Sequence, residues 1–243
     1  TGYASENAAK LGRTSVPSTE LLSLDDYRLR HAQYKSDADL KQFHASKPMI
    51  AVWDDHEIAN DTYKDGAENH TTATEGSFAA RKAAAIQAYH EWMPIRTGSD
   101  KNKIYRSFNF GSLMSLHMLD TRLIGRDQQV EFADLLTPSK QAAAMATLTS
   151  TSRQLLGTEQ LQWLTSQMTT STSTWQFLGQ QVLMGRMEFP LTILQALNPS
   201  DTSPQAQAAG QQAISDYLTA KTKSAVANTK FGYPRKLSIR ISR

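Results

Sequence analysis

The chain contains no cysteine, which excludes disulfide bonds and thiolate-ligated metal sites within its 243 residues. It also has no apolar run long enough to cross a bilayer, and no stretch with the composition of a signal peptide. Its formal charge of +3 is small, and its acidic and basic residues are interspersed, so nothing indicates a nucleic-acid-binding surface. The length suffices for a sizeable core in one large domain or two small ones, and we treat 1–243 as a single domain.

The most informative stretch is a short apolar run that ends in polar groups. The run Met49–Val52 leads through Trp53 into the sequence Asp54-Asp55-His56-Glu57. Apolar runs between helical segments are typical of buried parallel strands, so the pattern predicts a central strand over Met49–Val52. Asp55 and His56 would then lie at its carboxyl end, where open α/β sheets gather reacting groups. An alternative has similar weight: acidic residues often follow a strand only to cap the next helix.

A second apolar stretch ends in the same way. The alternating segment Ile104–Phe110, the turn residues Gly111-Ser112 and the segment Leu113–Leu119 predict a β-hairpin, which is followed by Asp120-Thr121-Arg122. An arginine at the end of a strand can bind phosphate or carboxylate with its planar fork, and Arg122 would face the same crevice as His56. A purely structural contact of Arg122, with Asp120 or with a loop, is an equally weighted alternative.

Other patterns predict the elements around these strands. The spacing of apolar residues and the cap signals favour helices and further strands. The long polar connection from Ile58 to Gly76 is of a kind that is commonly functional or mobile. The predicted elements are a helix from Leu24, a short helix after Ser36, helices over Phe78–Trp92, from Thr158 and over Gln205–Lys221, and strands over Trp175–Val182 and Lys236–Arg243.

Six stretches, in order along the chain, carry a family resemblance. Together they resemble the PhoD-like alkaline phosphatases of the metallophosphoesterase superfamily, and an ordered set is far more specific than any one motif. The stretches are Tyr27–Asp37, Trp53–Glu57, Arg81–Arg96, Tyr105–Phe108 with Met118–Arg122, Leu156–Gln160 and Gly179–Val182, and Phe231–Pro234 is similar to a further remnant.

The resemblance implies an α/β fold in which two mixed sheets pack as a sandwich flanked by helices. It implies hydrolysis of phosphate monoesters, with diesters as a further substrate class, by a centre that contains iron and calcium. Carried over residue by residue, Asp55 becomes a metal ligand and His56 the group that serves the transition state. Arg122, and with less support Asn60, become candidates for contact with the phosphate. The family also implies a periplasmic or secreted location and a small phosphate ester as the partner.

Two family motifs have no counterpart in this sequence. Family members carry a Gly-Asp-x-x-Tyr metal motif before the matching region and a Gly-Asp-x-His type motif after it. The chain is thus similar to an internal or truncated portion of a family member, and we expect it to bind metal weakly and to be a poor phosphatase alone. The lack of these two motifs also suggests a second function class: a non-catalytic fragment or interaction module that retains the middle of the phosphatase fold.

Overall fold

The computed structural model describes residues 7–182, 187–190, 203–226 and 236–239. Its helices are α1 (Leu24–Lys35), α2 (Ala38–Ser46), α3 (Thr72–Glu75), α4 (Phe78–Trp92), α5 (Phe132–Leu136), α6 (Pro138–Thr149), α7 (Thr158–Thr170) and α8 (Pro204–Val226). Its strands are β1 (Arg106–Phe110), β2 (Met114–Met118), β3 (Trp175–Gly179), β4 (Met187–Pro190) and β5 (Lys236–Ile239). The chain is therefore a mixed α/β protein.

The chain divides into two compact units. The first comprises Thr1–Gln128 and Gln154–Val182, and the second comprises Gln129–Arg153 and Leu183–Arg243. In the second unit α5 packs against α6, and β4 pairs with β5 in antiparallel orientation. The single domain predicted over 1–243 stays a prediction.

The core of the first unit is built around α1 and α4. Ser23 caps α1 through a reciprocal capping box with Asp26, which satisfies N–H groups at the start of that helix. The indole of Trp53 packs edge-on against the ring of Tyr89, with 5.5 Å between the ring centroids. Arg28 on α1 binds Glu91 on α4 through two hydrogen bonds of 2.7 Å each, which fixes the two helices in register. The contact between Trp53 and Tyr89 holds the segment that follows Trp53 against α4.

The sheet of the first unit is small and mixed. β1 and β2 form the predicted antiparallel hairpin, and β3 runs parallel to β2 on its other side. Because β2 and β3 are parallel, the residues that follow both strands emerge at the same edge of the sheet. This edge receives Arg122 after β2 and Gln181 after β3.

The predicted central strand over Met49–Val52 is wrong. Residues 47–54 have no regular secondary structure, and Met49 and Ile50 are partly exposed. Side chains supply the hydrogen bonds that a neighbouring strand would have supplied: Arg106 Nη2 donates to the carbonyl of Ala51, and Gln181 Nε2 donates to the carbonyl of Trp53. Among the described residues no strand pairs with this segment, so its apolar residues are not enclosed in a sheet.

The other predicted elements are confirmed. The predicted helix over Phe78–Trp92 has the observed bounds of α4, and α1, α2, α7 and α8 lie where cap and spacing signals placed them. The third strand ends earlier than predicted, at Gly179, and β5 covers the part of the predicted closing strand that is described. The helix α6 was not predicted, although Pro138 in its first turn is a recognised start signal. The stretch Phe231–Pro234 lies outside the described residues.

The histidine on α1 makes the packing of α1 against α4 sensitive to pH. The ring of His31 stacks on Trp92 at 6.4 Å, and burial, with the charge of Lys35, lowers the pKa of His31 to about 4. Since the unfolded chain binds this proton near pH 6.5, the stability that the neutral ring supports is lost as pH falls from about 6.5 towards 4. We therefore expect the free energy of unfolding, measured in urea, to fall less between pH 7 and pH 5 in His31→Phe than in the original chain. Equal falls in the two proteins would contradict this assignment.

Candidate functional site

A single tight turn follows Trp53. The carbonyl of Asp55 accepts hydrogen bonds from the N–H groups of Ile58 and Ala59, while Glu57 reaches back to the N–H of Asp54 at 2.6 Å. The carboxylate of Asp55 is buried, and its two oxygens accept the N–H groups of His56 at 2.9 Å and of Asp61 at 2.7 Å. The acidic residues therefore stabilise a turn, and they do not cap a following helix as one of the two sequence interpretations held. The turn also fixes where His56 lies.

Arg122 draws three carboxylates together at this turn. Its Nε donates to Asp54 Oδ1 at 2.7 Å, its Nη1 lies 3.3 Å from Asp61 Oδ1, and its Nη2 lies 3.7 Å from Asp55 Oδ1. We call Asp54, Asp55 and Asp61 with Arg122 the carboxylate–arginine cluster. The side chains of Asp54 and Asp61 are 47% and 43% exposed, whereas that of Arg122 is only 10% exposed. The cluster thus has an enclosed cation and an open acidic rim.

Asp120 holds the main chain that carries Arg122. Its Oδ1 accepts the N–H groups of Arg122 and Leu123, and its Oδ2 accepts Trp53 Nε1–H at 3.1 Å. The carboxyl group is fully buried, and burial raises its pKa above the ordinary value. Asp120 therefore ties the end of β2 to the segment before His56. It contacts the main-chain N–H of Arg122, and the guanidinium of Arg122 is directed to the cluster instead.

Two glutamine carboxamides, of which Gln160 is buried and Gln181 is half-buried, complete the framework. Gln181 Nε2 donates to the carbonyls of Trp53 and Leu119, and its Oε1 accepts from the N–H and the hydroxyl of Thr121. Gln160 on α7 exchanges a pair of 2.8 Å hydrogen bonds with the main chain of Asp120. Both side chains make hydrogen bonds to main-chain groups that, inside a sheet, would bond to the main chain of a neighbouring strand.

His56 lies at the rim of the cluster with its side chain 42% exposed. Its Nδ1 is 3.5 Å from Asp55 Oδ1, and its Nε2 is 2.9 Å from Asn60 Oδ1. The structure therefore brings Arg122 and His56 to the same carboxylate oxygen, as expected of groups that share a crevice. The functional roles of Asp55, His56, Asn60 and Arg122 stay predictions.

Two participants at the site were not identified from the sequence: Glu68, which accepts a hydrogen bond from Asn60 Nδ2, and Gln181. Asp61, which the sequence offered only as a further metal ligand beside Asn60, binds Arg122. The dipeptide Asn60-Asp61 is a turn signal, and Asp61 indeed adopts a left-handed conformation with φ of 48°. Glu68 lies in the polar connection between Ile58 and Gly76, where nothing in the sequence distinguished it from other exposed acids.

The described residues do not assemble a metal centre. Within residues 7–182 and the three shorter described segments, no group of three or more histidine, aspartate or glutamate side chains has an arrangement that could hold a metal ion. At Asp55 both oxygens accept main-chain N–H groups, and the neighbouring cation is a guanidinium. The described residues therefore do not by themselves complete the iron and calcium centre that the family resemblance implies. In the same residues, no helix combines the length and the apolar character that crossing a membrane requires.

Comparisons with known proteins agree with one another. The chain is 41% identical over 176 residues to alkaline phosphatase D of Bacillus subtilis (strain 168), a match that spans 71% of this chain and 29% of that protein. A solved structure described as the structure of PhoD superposes with a TM-score of 0.57 at 38% identity, over 71% of this chain and 32% of that one. The chain thus spans less than a third of the length of each of these two relatives.

The family assignment rests on a match that covers almost the whole sequence. The sequence model of the PhoD-like phosphatases matches residues 1–234, which include the turn at Asp55, the end of β2 and the end of β3. The family resemblance seen in the ordered motifs is confirmed, and the chain belongs to the PhoD-like phosphatase family.

Proposed function

We propose that this chain supplies part of the active site of a metal-dependent phosphoric ester hydrolase. Small phosphate monoesters are the proposed substrates, with phosphate diesters as a second class. One observation carries the proposal: in a member of the PhoD-like phosphatase family, His56 and Arg122 converge on one buried carboxylate, Asp55. An ionisable ring and a guanidinium side by side are suited to an anionic ester.

His56 is the proposed proton donor to the leaving oxygen. Its partly exposed ring can be reached by a small ester, and the turn at Asp55 holds its main chain in place. A general acid needs to reach the leaving oxygen within hydrogen-bonding distance and to be supplied with a proton. Both requirements are compatible with a ring at the rim of the cluster.

Arg122 is the proposed group that orients the phosphate. Its fork is occupied by Asp54 and Asp61, whose side chains are nearly half exposed, so an incoming phosphate would exchange with these carboxylates at the rim. One guanidinium beside three carboxylates gives the cluster more acidic than basic groups, which opposes the binding of a phosphate dianion. This excess supports a requirement for additional cations.

Iron and calcium are the cations that we propose, with Asp55 as a ligand. The described residues do not complete a centre for them, so the remaining ligands would have to come from elsewhere in the assembled enzyme. Calcium takes about six to eight oxygen ligands, and one buried aspartate supplies few of them. We accordingly propose that Thr1–Arg243 by itself binds these ions weakly.

A sandwich of two mixed sheets flanked by helices is the proposed architecture of the complete fold. Phe110 and Trp175 lie in the same row of the three-stranded sheet, with Phe177 two residues further along the same face. These three aromatic side chains are about half exposed, as expected of a face against which another layer packs. A periplasmic or secreted location is proposed from the family resemblance alone.

The functional proposal is tested by hydrolysis of a chromogenic phosphate monoester by chelator-treated chain resupplied with iron and calcium. We expect turnover far below that of alkaline phosphatase D of Bacillus subtilis, and a further loss of about a hundredfold or more in His56→Ala, since general acids contribute roughly 10²–10⁴-fold. His44→Ala on α2 is the matched control and should leave the rate unchanged.

Three outcomes would count against parts of this scheme. A rate equal to that of the Bacillus enzyme would refute the expected weakness of the chain alone. A His56→Ala rate equal to that of the control would remove His56 from the reaction. If the chain shows no turnover and binds no stoichiometric metal, the alternative of a non-catalytic interaction module is favoured. The lack of a metal-binding group among the described residues supports that alternative.

A further inference from the structure

A side-chain relay connects His56 to an acidic residue outside the carboxylate–arginine cluster. His56 Nε2 lies 2.9 Å from Asn60 Oδ1, and Asn60 Nδ2 donates to Glu68 Oε2. Asn60 therefore contacts the imidazole with one end of its carboxamide and a carboxylate with the other. Asn60 contacts Nε2 of the ring, whereas Asp55 lies near the other nitrogen, Nδ1.

The donor and acceptor inventory allows one arrangement of protons along this line. An ionised carboxylate only accepts hydrogen bonds, so the end of Asn60 that faces Glu68 must be the amide NH₂. The carbonyl oxygen of Asn60 then faces His56 and can only accept. Consequently the ring nitrogen at this contact, Nε2, must be the one that carries hydrogen.

The opposite tautomer would break both contacts. With hydrogen on Nδ1, the lone pair of Nε2 would face the carbonyl oxygen of Asn60 at 2.9 Å, and the carboxamide would have to rotate to relieve the repulsion. Rotation would direct its oxygen at the carboxylate of Glu68 and create a second repulsion. Nε2 therefore carries hydrogen in the neutral and in the charged ring, and the charged ring also directs Nδ1–H towards Asp55 Oδ1 at 3.5 Å.

The loop between Asn60 and Asn69 is closed so that Glu68 returns to Asn60. The N–H of Asn60 donates to Asn69 Oδ1 at 2.7 Å, and the N–H of Glu68 donates to the carbonyl of Asn60 at 3.0 Å. Asn69 is in turn held by Glu20, which accepts from its Nδ2 at 3.1 Å. Main-chain and side-chain hydrogen bonds thus fix the distance between the carboxylate and the carboxamide.

We propose that Glu68, acting through Asn60, is a positioning residue that keeps hydrogen on Nε2 and fixes the orientation of His56, so that the protonated ring gives up its proton from Nδ1 and is left as the Nε2–H tautomer. The inference rests on the proposed function insofar as it assigns His56 a part in ester hydrolysis. It gives Asn60 a role in orienting the histidine instead of the direct phosphate contact expected from the sequence. As positioning residues, Asn60 and Glu68 do not exchange a proton with the ester.

Nitrogen NMR of the full chain labelled at its histidine rings tests the proposal, because ring-nitrogen shifts distinguish the two neutral tautomers. The spectrum is recorded at alkaline pH, and the His56 signals are identified by their loss in His56→Gln. We expect the Nε2–H tautomer in the original chain and a mixture of both tautomers in Glu68→Ala. Asn60→Asp, which keeps an acceptor towards Nε2, should retain the Nε2–H form.

The matched control is Asp65→Ala, an exposed acid in the same loop. It should leave the tautomer unchanged, which separates loss of the Asn60 contact from loss of a negative charge nearby. An Nδ1–H tautomer in the original chain, or a His56 spectrum identical in Glu68→Ala and the original chain, would overturn the proposal. The NMR measurement needs no turnover. A chain without phosphatase activity would therefore count against the proposed function, while the tautomer of His56 could still be measured.

Discussion

Replacement of Asp120 by alanine is expected to lower the free energy of unfolding by about 3 kcal/mol or more, because each buried donor left without a partner costs about 1–3 kcal/mol. Three donors lose their acceptor in this variant: the N–H groups of Arg122 and Leu123, and Trp53 Nε1–H. Urea unfolding followed by tryptophan fluorescence measures the change, since Trp53 itself reports on the site.

Asp100→Ala is the control for this prediction. Asp100 is exposed, and its carboxylate accepts hydrogen bonds from the main chain and side chain of Asn102, two residues away, so its loss should cost much less than the loss of Asp120. Equal destabilisation by the two substitutions would mean that the buried hydrogen bonds of Asp120 contribute little. Phosphatase activity is not needed for this comparison.

Gly125→Ala should destabilise the fold by about 3 kcal/mol, the upper part of the range for overpacked sites. A Cβ at Gly125 would lie 2.2 Å from Gly157 N and 2.4 Å from the carbonyl carbon of Leu156. Both atoms belong to the main chain, so no change of rotamer relieves the clash, and the start of α7 would have to move. Thermal or urea unfolding of the variant measures the cost.

Gly98→Ala provides a matched control for the substitution at Gly125. A Cβ at Gly98 meets no atom within 4 Å, and this glycine does not need a left-handed conformation. Its replacement should leave stability within about 0.5 kcal/mol of the original, as for surface changes away from special features. A Gly125→Ala variant as stable as Gly98→Ala would show that the start of α7 can shift without cost.

The elements that could be predicted are those encoded locally. Helix α4 is recognisable because Ala85, Ile86 and Tyr89 recur at helical spacing and Pro94 prevents continuation. The hairpin of β1 and β2 is recognisable from alternation across a two-residue turn. An extended segment such as Met49–Val52 is different, since its assignment to a sheet depends on a neighbouring strand that no local pattern specifies.

The site could be predicted only in part, because some of its contacts join residues that no local pattern connects. Arg122 lies near His56 as expected, but only Arg122 follows a strand, so the rule that polar groups gather beyond the ends of strands applies to one of the two residues. The same rule could not identify Glu68, because the closure of the loop back to Asn60 depends on hydrogen bonds between residues that are separately unremarkable in sequence. The donors and acceptors of His56, Asn60 and Glu68 are brought together only by the folded loop.

The carboxamide of Gln181 has a consequence for the order in which the site can assemble during synthesis. It joins the carbonyl of Trp53, 128 residues earlier, to that of Leu119, 62 residues earlier. A nascent chain that has not yet reached residue 181 already contains His56 and Arg122 and their direct contacts, yet it lacks the link through Gln181 that adds to the bonds of Asp120 and Arg122 between the two segments. Contacts so distant along the chain carry a high loop-closure entropy and are made late. The two halves of the site are therefore synthesised long before this link can be added.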